Sequence, residues 1–114
     1  MSFEDVMQEL QKEYVESLPE KITEIEDNLS TKNVEDLTTS FHRLKGSGKT
    51  YGLPEISELG AIAEQICRQQ PHCVTSALPD ALELLKDIHL ERKASRSLNL
   101  EEDVRFSRLK SIVN

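Results

Sequence analysis

A chain of 114 residues is long enough for one domain with its own hydrophobic core and too short for several. Its formal charge of −7 and sequence pI near 5.0, with no basic stripe interleaved with aromatic residues, argue against a nucleic-acid partner. No apolar run approaches the ~20 residues of a membrane span, and the N-terminus lacks the layout of a secretion signal. We therefore expect a cytoplasmic domain with no membrane segment, and nothing in the sequence requires a dimer.

The first thirty residues have the apolar spacing of helices. Ser2 and Asp5 form a capping box, and apolar residues follow at helical intervals. Pro19 is expected either to start a second helix or to kink the first. The helical spacing resumes at Ile22 and continues to about residue 30.

The middle of the chain predicts two further helices. Asn33 is a favourable N-cap for the first of them, and Gly52 is its expected end. Pro54 then opens the second in the early position that proline prefers. Pro71 is expected to stop that helix after about residue 70.

The last third of the chain predicts one strong helix and one weaker helix. Thr75 or Ser76 is expected to cap the strong helix, which places Pro79 in its first turn, where it removes no internal hydrogen bond. Residues 91–97 are charged and poorly patterned. Apolar residues beyond them predict the weaker helix, namely Leu100, Val104, Leu109 and Ile112. Such a tail could pack on the other helices, bind a partner or fray.

Short connections between long amphipathic helices favour an all-α fold. We predict an antiparallel up-down four-helix bundle with an N-terminal helix and a possible extra C-terminal helix. Four glycines, four prolines and no tryptophan suit a helical protein better than a sandwich or barrel. We divide the chain into a bundle, residues 1–93, and a C-terminal extension, residues 94–114, within one domain overall.

One histidine stands out because of the helix face on which it is expected to lie. At about 100° per residue, an arc of roughly 100° contains the expected core positions, Val34, Leu37, Phe41, Leu44, Gly48 and Tyr51. His42 lies about 130° from the centre of that arc and should point to solvent, together with Lys45, Gly46 and Lys49. Gly46 costs about 1 kcal/mol of helix stability relative to alanine, and Gly48 adds a second such cost. We therefore expect something outside the domain to approach this backbone closely.

The same segment contains a competing motif. Residues 46–50 match the end of a nucleotide-binding P-loop, whose pattern is G-x-x-x-x-G-K-[ST]. The first glycine of that pattern would have to be residue 43, which is Arg43. The preceding residues also have helical spacing, whereas a P-loop follows a buried strand. Nucleotide binding is therefore not expected.

The cysteines and the other histidines suggest less specific chemistry. Cys67 and Cys73 have neither redox nor common structural zinc spacing. A metal site formed by Cys67, His72, Cys73 and a fourth ligand is conceivable, but reduced thiols near a helix end are the favoured interpretation. His89 lies near a helix end, where a cation suits the helix dipole, and we assign it no function. The remaining Glu and Lys residues are expected on solvated helix faces.

The residues around His42 resemble the signature of the histidine phosphotransfer (HPt) domain of two-component phosphorelays. That motif is, in outline, H-x-L-K-G-S with a glycine ten residues after the histidine, and it is matched by His42, Leu44, Lys45, Gly46, Ser47 and Gly52. The resemblance covers roughly residues 3–90, and a chain of this length resembles a free-standing HPt protein. Phe41 and Lys49 depart from the pattern, because small residues usually precede the histidine and often follow the serine.

The resemblance implies a role for each residue of the outward face. His42 would accept a phosphoryl group from a receiver-domain aspartate on its outward ring nitrogen and pass it to another receiver. Lys45 would offset the phosphate charge, with Lys49 as a helper, and Gly46 would let receiver loops come close. Ser47 would hydrogen-bond within the helix or orient the imidazole indirectly.

The resemblance also implies the partners. These would be receiver domains of hybrid histidine kinases and of response regulators, which would bring Mg²⁺. The chain itself would need no cofactor or metal, and it would be a monomeric phosphocarrier, not an enzyme. A neutral imidazole is a competent nucleophile near neutral pH, which agrees with this role. The alternative is a helical adaptor that is not phosphorylated.

Overall fold

The computed structural model describes residues 2–113, which form five α-helices. These are α1 (Phe3–Ser30), α2 (Val34–Thr50), α3 (Pro54–Gln69), α4 (Val74–Lys93) and α5 (Val104–Val113). Short 3-10 turns at Pro71–Cys73 and Leu100–Glu102 precede α4 and α5, and no strand occurs within the described residues. Helices α1 to α4 form the bundle, and α5 packs against α3 and α4. The predicted all-α fold is confirmed.

Contacts between helix ends show that neighbouring helices are antiparallel. Gln11, near the start of α1, donates from Nε2 to the carbonyl of Tyr51 at the end of α2, at 2.7 Å. Glu55, in the first turn of α3, accepts two hydrogen bonds from Arg92 in the last turn of α4, at 2.6 and 2.8 Å. Glu55 is 4% exposed, so the expectation that the remaining acids lie on solvated faces is wrong at this position.

The core consists of apolar side chains at the predicted helical spacing. On α2 the buried residues are Leu37, Phe41, Leu44 and Gly48, and on α3 they include Ile56, Leu59, Ala63 and Ile66. Helix α4 contributes Ala77, Ala81, Leu84, Leu85 and Ile88, as predicted. The predicted caps of α1 and α2 form, since Ser2 forms a capping box with Asp5 and Asn33 accepts a hydrogen bond from the backbone of Asp36.

Helix α1 continues through Pro19 as a single helix of 28 residues, so the alternative in which Pro19 starts a second helix is wrong. Proline cannot donate to the carbonyl four residues before it, and its ring crowds that turn. Pro19 lies on the exposed side of α1, whereas Leu18 and Ile22 are buried. The packing of these flanking side chains keeps the helix continuous across the missing hydrogen bond.

Helix α4 begins earlier than predicted. It starts at Val74, so Thr75 and Ser76 lie inside the helix and do not cap it. Pro79 is therefore an interior residue, and the prediction that it costs no internal hydrogen bond is wrong. The preceding 3-10 turn leads directly into the helix, and buried Val74 and Leu78 anchor its start.

The predicted C-terminal helix exists as α5 and packs on the bundle. Leu109 is buried as expected, but Val104 is 69% exposed and Phe106 is buried in its place. The prediction that Val104 is buried is wrong. Leu100 lies in a 3-10 turn and α5 begins only at Val104, so the helical spacing counted from Leu100 does not continue into α5. Helix α5 is joined to α4 by two ion pairs, Arg105–Asp87 and Arg108–Asp80.

Helices α2 and α3 cross at two glycines with almost no space between their backbones. A Cβ on Gly48 would overlap the backbone nitrogen of Ser57, and a Cβ on Gly60 would lie 2.6 Å from the backbone nitrogen of Lys45. The Ser57 hydroxyl donates to the Lys45 carbonyl at 2.9 Å across this contact. Gly48 is therefore required by packing inside the domain, and the inference that an outside partner explains it is wrong.

The crossing makes a stability prediction for Gly60→Ala. Overpacking costs typically 1–3 kcal/mol, and the clash here is with backbone atoms that cannot rotate away. After alanine's gain of about 1 kcal/mol in helix propensity, we expect a net loss of up to about 2 kcal/mol in the free energy of unfolding, measured by urea denaturation. The matched control is Gly46→Ala, which has open space around the new Cβ and should be neutral or stabilising. A Gly60→Ala variant as stable as this control would contradict the close crossing.

Candidate functional site

The His42 imidazole projects from the middle of α2 into solvent, as the face calculation predicts. Its side chain is 65% exposed. One turn further on, a Cβ at Gly46 would find no neighbouring side chain or helix within 4 Å. The surface beside the imidazole is therefore open, and within residues 2–113 no packing contact requires a glycine at position 46.

A buried carboxylate holds one nitrogen of the imidazole. Nδ1 of His42 lies 2.9 Å from Oε2 of Glu64 on α3, a side chain that is only 9% exposed. The same oxygen accepts hydrogen bonds from Nε and Nη2 of Arg68, at 3.0 and 2.9 Å. An ionised carboxylate can only accept, so a neutral imidazole in this contact carries its proton on Nδ1. Nε2 is then the unprotonated nitrogen with an available lone pair.

The charge of Glu64 follows from its surroundings. Burial alone would raise the pKa of this carboxyl, but the hydrogen bonds and charges of Arg68 and His42 outweigh burial and leave the pKa below its usual value. The group is therefore a carboxylate at neutral pH. Because folding lowers this pKa, the contact stabilises the fold above the unfolded pKa, and that contribution is lost as pH falls through the folded pKa.

Sequence reasoning missed both Glu64, which was expected on a solvated helix face with the other Glu and Lys residues, and Arg68, which was not singled out. Each directly follows a buried residue, Ala63 and Cys67 respectively, so both lie at the edge of the core stripe of α3. An acid and a base four residues apart at the edge of a core stripe indicate a partly buried ion pair, and this pattern could have identified Glu64 and Arg68. Glu64 reaches the imidazole only because α3 packs against α2 in one particular register. The sequence pattern of a single helix does not reveal that register.

The remaining predicted site residues lie around α2 at different positions. Lys45 is half-buried and lines a shallow cavity of about 310 Å³ between α2 and α3, together with Glu64 and Arg68. Lys49 is exposed on the outward face. Neither lysine forms an ion pair with any residue in the described range. Ser47 lies on the flank of α2 that faces α1, away from the contact between His42 and Glu64.

The other candidates from the sequence do not assemble into a site. Cys67 and Cys73 are free thiols, and across residues 2–113 no three His, Cys, Asp or Glu side chains are grouped to hold a metal ion. Burial, followed by the charge of Lys93, lowers the pKa of His89. Residues 46–50 are helical, unlike the loop of a nucleotide-binding motif. None of the helices described has the length and apolar character needed to cross a bilayer.

Comparison with known proteins identifies the family. A family model described as "Hpt domain" matches residues 9–101, which is most of the chain and includes His42, Glu64 and Arg68. No curated protein and no solved structure gave a significant match. Domains of this family serve histidine phosphotransfer in phosphorelays and interact with receiver domains of kinases and response regulators. The family match and the all-α bundle with its exposed histidine agree, and the chain belongs to the Hpt domain family.

Proposed function

We propose that this protein relays a phosphoryl group between receiver-domain aspartates through Nε2 of His42. The observation that carries the proposal is the contact between an exposed imidazole and a buried carboxylate at Nδ1. This contact leaves Nε2 as the nucleophile, on a surface that a phosphoaspartate of another protein can reach. In this proposal the protein acts as a monomer in the cytoplasm.

The proposed step needs no proton transfer. The Nε2 lone pair attacks phosphorus and forms a P–N bond, while the P–O bond to the aspartate breaks and the aspartate leaves as a carboxylate. The ring keeps its proton on Nδ1, so it becomes positively charged. Glu64, 2.9 Å from Nδ1, stabilises that charge through a charge-assisted hydrogen bond. Transfer to a second receiver is the reverse of this step.

The local charge favours an acidic partner. Residues 37–54 contain three basic residues, Arg43, Lys45 and Lys49, and no acid, within a chain of net charge −7. Opposite charges steer association and orient the partners as they meet. Lys45 and Lys49 would also offset the charge on the transferred phosphoryl group.

The receiver would supply the rest of the catalysis. Phosphoryl transfer depends largely on positioning and on stabilisation of charge, and a receiver-bound Mg²⁺ would neutralise the phosphoryl oxygens. The present chain would contribute the nucleophile, the Nδ1 partner and an open surface at Gly46. It would therefore act as a phosphocarrier with no kinase activity of its own.

The first prediction from the relay proposal concerns the nucleophile. After incubation with a phosphorylated receiver domain and Mg²⁺, the wild-type protein should gain one acid-labile phosphoryl group by intact mass, and His42→Gln should gain none. His89→Gln is the matched control and should be phosphorylated like the wild type. Transfer to His42→Gln would refute the proposal. Absence of transfer to the wild type from several unrelated receivers would favour the alternative of a non-phosphorylated adaptor.

The second prediction concerns Glu64. Glu64→Ala removes the Nδ1 acceptor and Glu64→Gln keeps an acceptor without its charge, so we expect transfer to slow about ten- to a hundred-fold in the first and less in the second. Long-range ¹H–¹⁵N NMR should show a proton on Nδ1 of His42 in the wild type and a shift towards the Nε2-protonated form in Glu64→Ala. An unchanged tautomer in Glu64→Ala would show that Glu64 does not position the ring.

The third prediction concerns Gly46. Because space is open around its Cα, Gly46→Gln should fold normally and gain up to about 1 kcal/mol of helix stability. We nevertheless expect its phosphotransfer rate to fall, since the new side chain would occupy the surface used by the receiver. Glu83→Gln, exposed on α4 and outside the face of α2 that carries His42, is the matched control. Wild-type transfer by a stable Gly46→Gln would contradict close approach at this position.

A further inference from the structure

Three hydrogen bonds converge on a single oxygen of Glu64. Oε2 lies 2.9 Å from Nδ1 of His42 and accepts from Nε and Nη2 of Arg68 at 3.0 and 2.9 Å. A carboxylate oxygen has about two lone-pair sites, so three donors share what two would fill. Arg68 therefore competes with the imidazole for the same negative charge. In the relay proposed above, Glu64 has a role and Arg68 has none.

The charged groups that act on the Glu64 carboxyl come from α2 and α3. Burial raises its pKa, and the hydrogen bonds and charges of Arg68 and His42 outweigh burial and lower it. Burial also raises the pKa of the neighbouring Cys67 thiol, which is therefore neutral and adds no charge. Helices α4 and α5 also pack against α3, and two ion pairs join them to each other.

Other charged groups surround the imidazole at a greater remove from the shared oxygen. On the outward side of α2 these are Glu35, Lys45 and Lys49. On the opposite flank, where α1 packs against α2, Lys21 and Glu24 line a cleft together with Arg43. Arg68 differs from all of these groups because it donates to the same atom as the ring.

We propose that Arg68 is a positioning residue that acts through Glu64 to set how firmly the His42 ring holds a positive charge. By taking part of the carboxylate charge, Arg68 weakens the stabilisation that Glu64 gives to a protonated ring. The consequence for phosphotransfer rests on the relay proposed above. The effect on the unphosphorylated ring does not.

The two directions of transfer need opposite protonation states of the ring. To accept a phosphoryl group, the ring must be neutral, because a proton on Nε2 would occupy the attacking lone pair. To donate it, the ring must keep its proton on Nδ1. When the P–N bond breaks, its electron pair returns to Nε2, and a ring protonated on Nδ1 leaves as neutral imidazole instead of imidazolate. Glu64 alone favours the charged ring, and Arg68 offsets this so that one histidine can serve in both directions.

Titration of the His42 ring by NMR tests this inference without any receiver. In the full, unphosphorylated chain, Arg68→Gln should move the midpoint of the ring titration upwards by about half a pH unit, because the freed carboxylate stabilises the charged ring. Arg68→Lys keeps the charge and should restore most of the wild-type midpoint. Arg43→Gln removes an equal charge from the other flank of α2 and should move it much less. Equal midpoints in wild type and Arg68→Gln, or an equal shift in Arg43→Gln, would overturn the inference. Arg68 is 61% exposed, so its variants should fold.

A second background separates an effect through Glu64 from a direct effect on the ring. In Glu64→Ala, the further change Arg68→Gln should leave the titration midpoint of His42 where it is. A shift as large as in the wild-type background would mean that Arg68 acts on the ring directly, against the proposal. Glu64→Gln provides the same comparison if Glu64→Ala is unstable.

The phosphorylated ring gives a second readout. Phosphoramidate, a small phosphoryl donor that releases ammonia, would phosphorylate the histidine without a receiver. At a pH above the midpoint, a shift of half a unit makes the protonated fraction about three-fold larger. Arg68→Gln should then lose its phosphoryl group to water about three-fold faster than the wild type. An unchanged rate of loss would contradict the proposal.

The pH profile of transfer from a receiver distinguishes this role from docking. Arg68→Gln should accept the phosphoryl group about three-fold more slowly below the midpoint and at the wild-type rate well above it. An equal loss of rate at every pH would assign Arg68 to receiver docking and overturn the proposal. A shifted midpoint without transfer from any receiver would support the effect of Arg68 on the ring and refute the relay alone.

Discussion

The arrangement of the site depends on the close crossing of α2 and α3. Gly60 meets the backbone of α2 beside Lys45, and Glu64 lies one turn further along α3. Helices α2 and α3 run antiparallel, so a step forward along α3 from Gly60 to Glu64 corresponds to a step backward along α2 from Lys45 to His42. The carboxylate thus reaches Nδ1 at 2.9 Å without leaving the helix interface. A side chain at Gly60 would separate the backbones and move the carboxylate away from the ring.

A carboxylate in this position is costly unless it is well paired. Burial opposes the charge of Glu64, and Arg68 and His42 together restore it. Arg68 itself is 61% exposed, so it clamps the carboxylate from the solvent side. Ion pairs of this kind contribute little net stability. In the proposed relay, the contact between Glu64 and His42 matters most after phosphorylation, when the ring is positively charged and the carboxylate is its counter-ion.

The sequence predicted those features that depend on local periodicity. The outward position of His42 and the buried position of Phe41 follow from helical spacing within α2 alone. The sequence left open whether Pro19 starts a second helix or lies within the first, because the packing of residues on either side decides whether a helix continues through a proline. Glu64 was missed for a related reason, since its burial depends on contact between two helices. That contact is set by Gly60, whose role is not visible in any periodic pattern.

Two glycines two residues apart have opposite roles in α2. Gly48 lies at the helix crossing, where a Cβ would overlap the backbone of α3. Gly46 faces open space, and no packing contact within residues 2–113 requires a glycine there. Both weaken α2 locally, so the helix owes its stability to tertiary packing of its apolar face. Because that face is opposite to His42, a phosphoryl group on the imidazole would add charge to the surface without disturbing the core. A helix built in this way can present the same rigid surface to successive partners before and after phosphorylation.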